Sequence, residues 1–166
     1  LQALREADNH EMQHYVIEAL TRLAKIDLAE DKFEEARARL DEVAKHLDDA
    51  SSPLQYARLY EAEGDYSWAT SNSEEALSPY NQAIRHYNEA GNRHELCHAL
   101  LSKGTLLLSL GQQAEAHEVL NESLEVAQLA GRRSVIKQAE QLLDNGEDPA
   151  VNGTFADRQR RLHRLG

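Results

Sequence analysis

Two short strings in this chain have residue types and spacing that could do chemistry: His10-Glu11-Met12-Gln13-His14 and His94-Glu95-Leu96-Cys97-His98, each of which fits H-E-x-x-H. On a helix this spacing puts two imidazoles on one face, where they can share a zinc ion, and holds the glutamate as general base for a metal-bound water. A hydrolase of that type also needs a third protein ligand and a substrate cleft, and no third ligand is identifiable in the sequence. Cys97 beside His98 has the composition of a thiol nucleophile and its base. Neither G-x-x-x-x-G-K-[ST] nor G-x-G-x-x-G occurs, so no phosphate-binding loop is indicated and no cofactor or metal is expected.

The elements that would have to position these groups follow from composition and periodicity. With 166 residues, 41% apolar and 28% charged, the chain is sized for one folded body, and its regular apolar spacing argues against disorder. Acids outnumber bases 29 to 18, a formal net charge of -11, which repels phosphate backbones and anionic lipid, so neither nucleic acid nor membrane is an expected partner. The single cysteine cannot form an internal disulfide, and no apolar run has the length of a membrane span; a cytoplasmic setting is expected. The opening "LQALREADN" carries no leader and suggests a piece of a longer regulatory protein.

Self-similarity is the strongest signal. "DKFEEARARL", "SNSEEALSPY" and "GQQAEAHEVL" align without gaps and place Ala36, Ala76 and Ala116 at a spacing of 40 residues. Twelve positions before each alanine stand Ala24, Gly64 and Gly104, all small; four positions after stand Leu40, Tyr80 and Leu120, all large. Ala50, Ala90 and Ala130 are expected to close helical stretches, the last two followed by Gly91 and Gly131 as stop residues. Each unit therefore reads as a helical hairpin whose small residues set the contact distance and whose large ones fill the space beside it. One hairpin cannot bury this stripe alone, so neighbours must stack.

The run Leu100, Gly104, Leu107, Gly111, Ala116, Leu120 and Ser123 resembles the tetratricopeptide repeat (TPR) in its 40-residue variety, over roughly residues 1–145. The resemblance implies an all-α, right-handed superhelical solenoid of antiparallel helix hairpins with seven or eight helices. A partial repeat is expected at 1–9, repeats at about 10–50, 51–90 and 91–130, and a capping helix at about 132–145. "ALREADN" is similar to the hairpin end "HYNEAGN", which is why residues 1–9 read as the close of a preceding unit. Pro79 is expected to kink its helix or to delay its start to Ser78 as cap.

In this register both H-E-x-x-H strings open the first helix of a hairpin, so the repeat accounts for their duplication without catalysis, and the chain is expected not to be an enzyme. Glu34, Glu35, Glu115 and Glu122 fall on exposed second-helix positions, Cys97 fills a small packing slot, and Tyr56, Tyr60 and Tyr66 are expected at helix contacts. TPR arrays that hold peptides use first-helix residues lining a concave groove. Here the corresponding positions are Thr21, Lys25 and Leu28; Arg58, Glu61, Asp65 and Trp68; and His98, Leu101, Thr105 and Leu108. Trp68, Leu101 and Leu108 could form an apolar anchor pocket, with Lys25 and Arg58 for a carboxylate and Glu61 and Asp65 for a basic side chain. Packing between adjacent first helices would use several of the same residues.

Beyond Gly146, Pro149 and Gly153 mark a linker, and Arg158, Arg160, Arg161 and Arg164 form a basic cluster. This segment, 146–166, reads as a solvated tail, as the first turn of a further domain, or as a piece that docks on an acidic face. The expected function is a protein-protein interaction module, or scaffold, binding a peptide or protein segment within a signalling or transcription-regulatory protein. A homodimerisation module using the array ends and the basic tail is one alternative; a metal-dependent hydrolase using an H-E-x-x-H helix is the other.

Overall fold

Alanine at 24, 36, 76 and 116 favours helix and adds little bulk, so a helix carrying it can lie close to another. The computed structural model describes residues 2–48, 51–70 and 72–145, with side chains from Met12 to Asp144 within those ranges. Among the described residues seven helices follow one another: α1 (Gln2–Ala29), α2 (Phe33–His46), α3 (Pro53–Ala69), α4 (Leu77–Glu89), α5 (Arg93–Ser109), α6 (Gln113–Ala130) and α7 (Arg133–Asn145). There is no strand among the described residues.

α1 packs on α2, α3 on α4 and α5 on α6. The connections are short, so the members of each pair run antiparallel. Contacts also join α2 to α3, α4 to α5 and α6 to α7, and two next-but-one pairs touch, α1 with α3 and α5 with α7.

The small and large positions meet as their spacing predicts. Ala24, Ala36, Ala76 and Ala116 are fully buried, as are Leu40, Tyr80 and Leu120. A Cβ placed on Gly64 would come within 2.9 Å of the Tyr80 ring, and one on Gly104 within 2.7 Å of Leu120 Cγ and Cδ2. These glycines are required by the approach of α4 to α3 and of α6 to α5. In the α5–α6 turn Gly111 takes a positive φ of 75°; in the α1–α2 turn, which lacks glycine, Asp31 adopts the same left-handed region at 58°.

Three boundaries differ from the sequence reading. α1 is one uninterrupted helix from Gln2 to Ala29, with no break after Asn9. In the comparison of "ALREADN" with "HYNEAGN", Asp8 stands where Gly91 does, and the left-handed stop that Gly91 supplies at φ 64° is missing. α2 ends at His46, short of Ala50, because Leu47 is already extended (φ -85°, ψ 136°) and partly buried. Ser52 and Pro53 then start α3, with the Ser52 amide donating to Gln55 Oε1 at 2.6 Å. α4 begins at Leu77, so Ser78 is not its cap; Pro79 lies in the first turn, where no intrahelical N–H is needed. Ala50 and the arginines at 158, 160, 161 and 164 lie outside the described residues.

The close approach at Gly104 makes a specific demand on stability. Gly104→Ala should lower it by about 1 kcal/mol despite alanine's better helix propensity, because Leu120 must move. In a Leu120→Ala background the same change should become stabilising by a similar amount, read as a shift in urea midpoint at constant slope.

Candidate functional site

The face shared by the first helices of successive hairpins is ordered by charge. Glu18 on α1 and Arg58 on α3 stand 40 residues apart in the chain and pair at 3.0 Å. Lys25 and Asp65 have the same separation, with Nζ 3.8 Å from Oδ2, and Lys25 Nζ also lies 2.9 Å from Glu61 Oε2. From the other side α4 supplies two phenols. Tyr87 donates its hydroxyl to Glu61 at 2.8 Å, and Tyr80 donates to Asp65 at 2.5 Å.

Glu61 and Asp65 are thus almost fully buried carboxylates, 6% and 3% exposed, held between a lysine and two tyrosines. Burial alone would raise the pKa of Glu61, but the charge and hydrogen bond of Lys25, helped by the Tyr87 hydroxyl, outweigh it and hold the group below its ordinary value. Burial likewise works against the Lys25 ammonium and is overcome by Glu61 and Asp65, so its pKa is raised. Tyr87 is pushed far up, by burial first and then by Glu61, and remains a donor. For these three groups the arrangement favours one proton distribution: the Glu61 carboxylate ionised, the Lys25 ammonium charged, the Tyr87 phenol protonated.

The remaining predicted residues divide between interior and rim. Thr21 is buried, its hydroxyl donating to the Ile17 carbonyl at 2.6 Å. Leu28 and Trp68 pack in one apolar cluster with Ala36, Ala76, Tyr80 and Leu106, whereas Leu101 is buried in another with Cys97, Leu120 and Val135. Leu108 is half-buried against that second cluster and against a third that contains Ala57, Ala99 and Leu100, whereas Trp68 belongs to the first. Thr105 is half-buried and donates to the Leu101 carbonyl at 2.7 Å. The half-exposed rim of this face consists of Lys25, Arg58, His98, Thr105 and Leu108.

His98 belongs to the second H-E-x-x-H string, which opens α5: Asn92 is the N-cap and its side chain accepts from the Glu95 amide at 3.1 Å. His94 is exposed, but Nε2 of His98 lies 2.9 Å from an Arg132 guanidinium nitrogen. Arginine can only donate, so Nε2 is the acceptor and the proton of the neutral ring is on Nδ1. Burial lowers the His98 pKa; Glu61 opposes this and Arg132 reinforces it. The first string is not in the equivalent place. It begins 84 residues earlier, one helical turn more than two periods, and lies inside the continuous α1. Its His14 stands edge-on to Tyr15 with ring centroids 5.9 Å apart, and the side chains of His10 and Glu11 lie outside the described residues. Among the described residues no three His, Cys, Asp or Glu side chains gather as metal ligands do.

The other candidates are structural contacts. Cys97 is fully buried with its thiol directed at the His94 carbonyl, 3.1 Å away, and burial raises its pKa, so it is held as the thiol. Tyr56, Tyr60 and His86 form a three-ring stack, and Tyr66 lies under the Arg37 guanidinium at 5.3 Å. A shallow cleft of about 350 Å³ between α2 and Tyr66 has Arg37 in its lining, which Glu63 already clamps with two 2.8 Å hydrogen bonds. Glu34, Glu35 and Glu122 are exposed, as is Glu115, which meets Lys103 at 3.3 Å.

Sequence reasoning did not single out Glu18, Tyr80, Tyr87 and Arg132 as members of this network. A signal for the first was present: Glu18 and Arg58 are opposite charges 40 residues apart, and the contact of α1 with α3 brings them together. The tyrosines were read as bulk, and Arg132 follows a turn whose side-chain direction no periodicity gives. No protein-family model matches the chain, and no curated protein matches it.

Two expectations follow from the charge network. Lys25→Met should cost about 2–4 kcal/mol by leaving Glu61 buried beside an apolar group, and Glu61→Gln added to it should restore most of that loss, both read by urea unfolding near neutral pH. His98, whose folded pKa is depressed, binds its proton more readily in the unfolded chain; its contribution is present above its ordinary value of 6.5 and is lost as pH falls through the folded pKa. Stability should therefore fall less between about pH 7 and pH 5 in His98→Gln, whose side-chain carbonyl can still accept from Arg132, than in the unmodified chain.

Proposed function

We propose that the chain is a TPR-type right-handed solenoid acting as a non-catalytic, cytoplasmic protein-interaction module, which receives a peptide or protein segment along the face formed by α1, α3 and α5. The observation that carries the reading is the pairing of side chains one 40-residue period apart, Glu18 with Arg58 and Lys25 with Asp65. Contacts between equivalent positions of α1 and α3 are what stacked hairpins produce, and stacking lines up the first helices as one extended surface.

The chemistry of that surface supports a peptide ligand. Its floor is fixed by the Glu61 and Asp65 carboxylates, already matched to Lys25 and two tyrosines, so it has a definite shape before anything binds. Its rim mixes cationic Lys25 and Arg58, neutral His98, the Thr105 hydroxyl and apolar Leu108, a combination suited to a segment with an acidic and an aliphatic side chain. The setting this implies is the regulatory part of a larger signalling or transcription-regulatory protein. In this reading the H-E-x-x-H of α5 is a helix start that keeps its glutamate at a capped first turn, and Arg132 occupies the imidazole nitrogen that a metal would use.

Selection of a random peptide display library against the full chain should enrich a motif with those two side-chain types. Thr105→Arg, on the rim, should weaken binding of an enriched peptide by about tenfold or more, while Glu122→Arg on an exposed second-helix site should leave it within about twofold. Absence of enrichment, or equal damage from both variants, would overturn the proposal.

A further inference from the structure

Half-buried cations in this chain come with a carboxylate. Lys25, Arg37, Arg39, Arg58 and Lys103 are each partly covered, and each forms an ion pair with at least one Asp or Glu. Among the described residues Arg132 is the exception. It is also half-buried, yet no carboxylate pairs with it, and its one hydrogen-bond partner is the neutral ring of His98, with Nε2 at 2.9 Å. Its Nε is shut off from solvent and has no acceptor. A guanidinium drawn partly out of water without a counter-charge is costly, as is a buried N–H without an acceptor, so the group is poised for an anion.

The place of Arg132 in the fold connects it to the face already described. It stands in the turn between α6 and α7 and reaches back to His98 on α5. The cations nearer α1 are satisfied, Lys25 by Glu61 and Asp65, and Arg58 by Glu18. A ligand carboxylate would have to compete with those bonds at Lys25 or Arg58, whereas at Arg132 it completes a missing pair. One terminal nitrogen of Arg132 is engaged by His98 and the other makes no hydrogen bond among the described residues, so a charged donor is left to meet it. From His98 to Leu108 is about 15 Å along the axis of α5, the span of four or five residues of extended peptide.

We propose that Arg132 and His98 form a carboxylate-binding site that takes the acidic group of the peptide, while Leu108 meets its aliphatic side chain about four or five residues away. The peptide-binding reading supplies the molecule that carries the carboxylate; the site itself rests on the geometry of Arg132. His98 regulates it. The charged groups facing the ring are Glu61 on α3 and Glu95 on α5, which favour its proton, and Arg132 and Lys25 of α1, which oppose it together with burial, the largest influence. A carboxylate on Arg132 adds negative charge beside the ring, so binding raises the affinity of His98 for its proton, and by reciprocity protonation strengthens binding. A protonated Nε2 also ceases to accept from Arg132, which frees that nitrogen for the carboxylate.

The full chain is titrated at constant ionic strength with N-acetylglycinate, standing for a terminal carboxylate, and with propionate, standing for a glutamate side chain, while heteronuclear NMR follows the arginine Nε–H signals. The Arg132 signal, sheltered from water and assigned by its loss in Arg132→Lys, should move saturably with a Kd on the order of 10 mM, and the anion with the lower Kd names the source. The signals of Arg37, Arg39 and Arg58, already ion-paired, should stay in place. Between about pH 7.5 and 5.5 N-acetylglycinate stays ionised, and its Kd should fall about fourfold in the unmodified chain and less than about 1.5-fold in His98→Gln. An Arg132 signal indifferent to both anions would overturn the site, including the case in which a carboxylate of residues 146–166 already holds it. Equal movement of all four arginines would mean an adventitious ion only and would overturn it as well, and a Kd flat with pH in the unmodified chain would overturn the part given to His98. Because no selected peptide is used, a positive titration beside a failed display selection supports the site and overturns the peptide reading alone.

Discussion

Two buried carboxylates one helical turn apart on α3 set the terms for the rest of the structure. Glu61 and Asp65 cannot stay ionised away from water without compensation, and the compensating groups come from different directions: the Lys25 ammonium on α1 and the Tyr80 and Tyr87 hydroxyls on α4. Gly64 lies between them in the same turn and admits the Tyr80 ring to van der Waals range. Loss of the glycine would push Tyr80 outward and pull its hydroxyl from Asp65. The apolar and polar requirements of α3 are therefore met by the same residue of α4, which fixes the rotation of both helices as well as their distance.

The α5–α6 hairpin solves the equivalent packing problem without charge. Gly104 meets Leu120, and Leu101 and Ala127, one period after Glu61 and Tyr87, are buried in one apolar cluster. The same backbone arrangement thus tolerates an ionic or an apolar filling. Replacing ion pairs by apolar groups of matching volume is commonly neutral for stability, so the charge in the second hairpin needs another reason, and uniqueness of register is the one its geometry offers.

Much of this fold was legible because it repeats. A contact required in one hairpin recurs 40 residues later, and the recurrence separates Ala36, Ala76 and Ala116, or Leu40, Tyr80 and Leu120, from chance. What recurs only as a pair of opposite charges, Glu18 with Arg58, was harder to see, because a period in residue size does not reveal a complement between neighbours. The helix ends failed where one residue decided them: Asp8 in place of a glycine leaves α1 unbroken, and Leu47 turns extended to reach the interior. The H-E-x-x-H strings were the least faithful guide. The one on α5 owes its glutamate to a capped first turn and its second histidine to Arg132, while the one on α1 starts no helix.

Among the described residues, every closely packed pair of helices is either consecutive or next-but-one in the chain. No helix must wait for a distant segment before it can be covered, so the entropic cost of closing long loops is largely absent. As the polypeptide leaves the ribosome, each hairpin can therefore fold against the one already formed, and α3 can find Lys25 on finished structure before α5 has been translated.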